Sequence, residues 1–123
     1  MGLDTSHDCW NGPYSAFMRW RSFLHFLLTG EGNGTGTDFA PLELAWLQGR
    51  YADPSIPINV LMNHSDCDGR IAAETCSPLA DALEALLERM PERAVYDAFR
   101  PATKRFIRGL RLAAERGESV EFY

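Results

Sequence analysis

The sequence predicts a single α+β domain spanning residues 1–123, with about three helices packed on a small sheet of two or three strands. Apolar residues recur at three- and four-residue steps in three stretches, the pattern of amphipathic helices. Short apolar or alternating runs near both ends and in the middle supply strands. No repeat or composition break divides the chain, and 123 residues can bury one core without staples.

Gly12-Pro13 opens the first helix, expected from about Pro13 to Leu28; proline suits the first helical position and Gly30 the position just past the end. Tyr14, Phe17, Trp20 or Arg21, Leu24, Leu27 and Leu28 make its apolar stripe. Trp10, Tyr14, Phe17, Trp20 and Phe23 follow the same spacing and read as core rather than as a stacking platform. Glycine then occupies alternate positions from Gly30 to Gly36. A Walker-type phosphate loop needs a preceding strand and a closing Gly-Lys-Ser/Thr, both missing, so residues 30–38 read as a mobile surface loop. From Leu42 to Tyr51 two patterns compete: Leu42, Leu44 and Trp46 alternate, whereas Leu44 to Leu47 suits a buried helical turn.

Pro54 and Pro57 bracket a loop, and Ile58 to Met62 is the best strand candidate. Ser77-Pro78 reads as the N-cap and first-turn pair of a helix reaching Met90, with Leu79, Leu83, Leu86, Leu87 and Met90 inward and Pro91 as the stop. The last helix runs from near Pro101 to Arg116, with Phe106, Ile107, Leu110, Ala113 and Ala114 inward and Gly117 as cap. Val120 to Tyr123 alternates and suits an edge strand; Leu3 to Thr5 suits another.

Bulk composition narrows the function classes. Hydrophobic residues at 46 % and charged residues at 24 % are ordinary globular values. A net charge of −5 argues against a domain-wide nucleic-acid footprint, which would be basic. No apolar stretch approaches the roughly 18 residues of a membrane span. The first residues lack the basic and apolar regions of a secretory signal, and three cysteines cannot pair completely. A reducing, cytoplasmic setting is therefore expected, where clustered cysteines are metal ligands or reactive thiols. The start also fits the loose myristoylation pattern Met-Gly-x-x-x-Ser, to which chance matches are common.

Chemistry concentrates in two runs, Ser6-His7-Asp8-Cys9-Trp10 and Asn63-His64-Ser65-Asp66-Cys67-Asp68-Gly69. His7, Cys9, His64 and Cys67 would supply two nitrogens and two sulfurs to a tetrahedral zinc, two ligands from each segment. The His64-x-x-Cys67 spacing is standard for a turn-borne pair; His7-x-Cys9 needs a kinked segment, and Cys76 is a substitute ligand. The bland alternative is equally available. Cysteine packs as a small hydrophobe, the histidines can be hydrogen-bonded structural residues, and Asp66 and Asp68 can satisfy the turn at Gly69. A third reading makes Cys67 a thiolate nucleophile activated by His64 or His7, against which Asp66 and Asp68 act by like-charge repulsion.

Two templates fail on Asp66-Cys67-Asp68-Gly69. An EF-hand loop aligned on Gly69 begins with His64 and ends with Thr75, neither of which is the required oxygen ligand. A haloacid-dehalogenase-like phosphatase places Asp-x-Asp-Gly near the start of a larger domain, usually followed by threonine; here Arg70 follows and too little chain remains. Elsewhere, basic residues gather between Arg93 and Arg116, and Arg105, Arg108 and Arg111 offer a surface for an anionic ligand or nucleotide if they are not simply a solvated helix face.

The stretch from Ser6 to Phe17 with Arg19-Trp20-Arg21, then His64 to Gly69, resembles a family of small uncharacterised bacterial and bacteriophage proteins that combine an HDCW-G-YSAF-RWR start with HSDCDG. Phe106 to Leu110 and Glu118 to Phe122 are similar too. The resemblance implies a prokaryotic or phage cytoplasmic setting and assigns no catalytic residues. The expectation is a small cytoplasmic protein whose runs form one polar site, with zinc as its structural ion, acting by binding a protein partner or a small anionic ligand. The alternatives are a metal-dependent or Cys/His hydrolase, with Asp66 or Asp68 as base, and an anion-binding protein using the C-terminal helix.

Overall fold

The computed structural model describes residues 2–123 and is an α+β fold. Strands β1 (Gly2–Asp4) and β2 (Asn11–Pro13) pair antiparallel, as do β3 (Arg70–Ile71) and β4 (Val120–Glu121). Five helices surround them: α1 (Tyr14–Thr29), α2 (Ala40–Leu47), α3 (Pro57–Met62), α4 (Ala73–Arg89) and α5 (Phe99–Arg116). The expected three helices is an undercount, and the strands form two sheets rather than one.

The long periodic segments fold as their spacing predicts. α1 and α5 end on Gly30 and Gly117, both left-handed, at φ 77° and 66°. The Leu42–Tyr51 ambiguity resolves as helix as far as Leu47, with turns over residues 48–51. Ile58–Met62 is the clear correction: it is helical, with Pro57 in the first turn and Leu61 and Met62 buried. A six-residue apolar run carries too few turns for its period to separate helix from strand. The start of α4 also moves. Ala72 is the N-cap, and Pro78 lies inside the helix on its exposed side rather than in the first turn.

α4 and α5 pack antiparallel, as three contacts along them show. Arg100 donates to the Pro91 carbonyl, Arg111 pairs with Asp81 and Glu84, and the Cys76 thiol faces the Glu118 carbonyl. α1 runs through the core. Trp20 stacks on Trp10 at 5.2 Å, lies 4.9 Å from Phe106, and donates its indole N–H to Thr103 Oγ1 at 2.9 Å. Phe23 stacks on Phe99 at 4.4 Å. Each such side chain, fully buried, contributes about 1.5–3 kcal/mol.

The expected surface loop folds back on the helices. The α-carbons of Gly34 and Gly36 approach the Tyr96 hydroxyl and the Arg19 carbonyl so closely that neither leaves room for a side chain. The segment from Glu118 onward is the seam of the fold. β4 pairs with β3, Thr5 bridges to Phe122, and Asp4 and Tyr123 exchange backbone hydrogen bonds at 2.9 Å. No helix among the described residues is long and apolar enough to cross a membrane.

Candidate functional site

Both histidine–cysteine runs sit beside this seam, on different parts of it. In the first, Ser6–Asp8 form a 3-10 turn with His7 and Asp8 both at positive φ, 59° and 57°. Side chains hold that turn in place. His7 Nε2 lies 2.9 Å from Glu118, its Nδ1 lies 2.8 Å from Ser6 Oγ, and Ser6 Oγ accepts the Glu121 N–H at 2.8 Å. Asp8 pairs with Arg105. Cys9 is wholly buried against Gly109, and burial pushes its thiol up to about 12.

The second run leaves α3 and turns into β3. His64 lies on the Phe122 ring at 4.0 Å. Its Nδ1 faces the Ser65 carbonyl at 2.8 Å and its Nε2 the Arg70 carbonyl at 3.0 Å. Cys67 is exposed, with Ser65 Oγ at 3.5 Å, and Asp68 is exposed beside it.

His7, Cys9, His64 and Cys67 therefore do not come together as a ligand set. Among the described residues no three His, Cys, Asp or Glu side chains are grouped so as to hold a metal ion. Each run is held separately by the 118–123 segment, His7 by its hydrogen bond to Glu118 and His64 by its contact with the Phe122 ring. Cys76, the substitute ligand, is buried and directs its thiol at backbone carbonyls. The basic helix is likewise committed in part. Arg105 and Arg111 are ion-paired with Asp8, Asp81 and Glu84, which leaves Arg108 exposed.

What the second run does assemble is a shallow cavity, open to solvent, of about 440 Å³ lined by Arg21, Trp46, Asn63, His64, Ser65 and Asp66. Arg21 comes from α1 and is only 3 % exposed. Its guanidinium carbon lies 4.5 Å from the Phe17 ring centre and 5.3 Å from that of Trp46. Nη1 donates to the His64 carbonyl at 2.7 Å and approaches those of Leu61 and Met62 at 3.4 and 3.5 Å, where the C-terminal end of α3 carries partial negative charge. Nε has no partner, and no carboxylate is in ion-pair contact with this guanidinium among the described residues. Burial brings its pKa down to about 10, partly opposed by the charge of Asp66. Trp46 is fixed by its own indole N–H, which donates to the Met62 carbonyl at 2.8 Å.

Arg21 is the residue that sequence reasoning undervalues. It falls on the apolar stripe as an alternative to Trp20, and a cation on a buried stripe is the available signal. A second network, running from buried His25 and Tyr51 to exposed Glu31 and Arg50, also escapes the sequence. His25 Nε2 faces Glu31 at 2.9 Å, Nδ1 faces the Tyr51 hydroxyl at 2.5 Å, and Arg50 completes the chain on Glu31 at 2.8 Å. The His25 contact, foremost, holds the Glu31 carboxyl below its ordinary value.

No protein-family model, no curated protein and no solved structure matches this chain.

Proposed function

We propose that this protein binds a small ligand through an anionic group, in the cavity formed by Arg21, Trp46 and residues 63–66. The observation that supports this reading is the buried Arg21 guanidinium without a carboxylate partner. Taking a cation out of water costs several kcal/mol unless it is paired. The α3 carbonyls and two aromatic faces offset part of that cost, while Nε is enclosed without a partner and only Nη1 makes hydrogen bonds. A carboxylate or phosphate matches a guanidinium edge with two parallel N–H···O bonds. The site thus belongs to the second histidine–cysteine run, with His64 and Ser65 as walls, and the C-terminal helix has no part in it.

The test is the Arg21 Nε–H resonance, followed by NMR while acetate or inorganic phosphate is added to the native protein and to Arg21→Met. Saturable movement of that resonance by at least one anion is expected, with no saturable response anywhere in Arg21→Met. Met keeps the packing volume but leaves the Leu61, Met62 and His64 carbonyls without their donor, a cost of about 1–3 kcal/mol, so the fold of the variant is checked by its backbone amide spectrum. If neither anion moves the resonance, Arg21 serves only to tie α1 to α3 and the reading fails.

A further inference from the structure

The same cavity holds a second unpaired charge. Asp66 is half-buried, lines the space with Arg21, and makes no hydrogen bond or ion pair among the described residues. It is close enough for its charge to act on Arg21 and too far for direct contact, since no oxygen lies within the 4.0 Å of an ion pair. Opposite charges lining one cavity attract each other. Here they are held apart. Arg21 is anchored by the α3 carbonyls and clamped between Phe17 and Trp46, while Asp66 sits on the turn that leads to β3.

We infer that the ligand is zwitterionic, a free α-amino acid whose carboxylate meets Arg21 and whose ammonium meets Asp66, with Trp46, Asn63 and Ser65 around its side chain. The inference rests on the anion-binding reading above and adds the positive end of the ligand. An α-amino acid carries its two charges a few bonds apart and needs one anionic and one cationic partner on opposite sides. Phosphate or a simple carboxylate uses only Arg21, leaves Asp66 unmatched and therefore binds more weakly than the zwitterion. A volume of about 440 Å³ also falls near the lower end of small-ligand sites, which run from about 300 to 1,000 Å³.

The probes are the twenty standard L-amino acids, titrated one at a time against the native protein by calorimetry or NMR. The best binder is then compared with its N-acetyl derivative, which has lost the ammonium, and its amide, which has lost the carboxylate. Each derivative should bind about tenfold more weakly or worse, the cost of leaving one buried charge unmatched. Asp66→Asn should erase the penalty for N-acetylation and keep the penalty for the amide. Changing the ligand gives the same answer if that variant does not fold. Equal binding of the free and N-acetylated forms overturns the zwitterion inference and leaves the anion site standing. The zwitterion inference is likewise overturned if acetate or phosphate binds and no amino acid does. If no anion of any kind binds, both readings fall together.

Discussion

Arg21 and the three cysteines show how far environment, rather than residue type, decides chemistry. Cys9 and Cys76 are fully buried, and burial raises both thiols above their usual range; Cys67 alone is exposed. Iodoacetamide at neutral pH should therefore label Cys67 and no other thiol in the native protein, and all three in urea, as read by peptide mass spectrometry. Rapid labelling of Cys9 in the native state would contradict its burial. Glu31 gives a pH dependence of known sign. Its folded-state pKa is held below the ordinary 4.5 by His25 first and Arg50 after it, so its contribution to stability is complete above that value. It is lost as pH falls through the depressed value. The urea midpoint of Glu31→Gln should thus fall less than that of the native protein between pH 6 and pH 3.

At the scale of elements, length decides what is legible. α1, α4 and α5 each show several turns of apolar spacing, so the sequence locates them to within a few residues, apart from the start of α4. α3 has six residues, and its helical form depends on Pro57 at its start and on burial of Leu61 and Met62, which local spacing does not reveal. The polar run that follows is visible as a site. Its true partner is not, because Arg21 is 43 positions from His64 and meets it only through the reach of its side chain from α1 to the end of α3. Two substitutions test the helices themselves. Pro78 is exposed inside α4, where it removes one backbone hydrogen bond. Interior proline costs about 3 kcal/mol relative to alanine and returns only about 0.4–1 through the unfolded chain. Pro78→Ala should raise stability by about 2–2.6 kcal/mol in urea unfolding. Gly109→Ala should do the opposite despite the better helix propensity. Its methyl would meet the Cys9 sulfur and, at 2.7 Å, the His7 carbonyl oxygen, a backbone atom that cannot swing aside. Overpacking of that kind costs about 1–3 kcal/mol, more than the roughly 1 kcal/mol that alanine gains over glycine.

For the molecule as a whole, the seam at residues 118–123 is the connection that the two runs share. Phe122 is 4 % exposed, packs edge-on to Phe17 at 6.1 Å, and carries the His64 ring on its face. Phe122→Ala should cost about 3–5 kcal/mol, the range for truncating a buried aromatic residue. It should also loosen His64, and with it one wall of the Arg21 cavity, so ligand affinity and stability should fall together. Unchanged binding in a destabilised Phe122→Ala would separate the cavity from the seam.

The seam also carries a kinetic consequence. Thr5 and Phe122 are 117 positions apart, whereas the antiparallel α4–α5 hairpin brings Arg111 to Asp81 across a loop of only 30. Closing the longer loop costs more chain entropy, and that cost must be met before the contact returns anything. The hairpin should therefore form early, with the seam joining after the rate-limiting step. Weakening the seam should then leave the refolding arm of a chevron plot nearly unchanged and speed the loss of the native state instead. On that footing, the clasp between the two ends sets how long the protein stays folded, while the helical hairpin sets how fast it gets there.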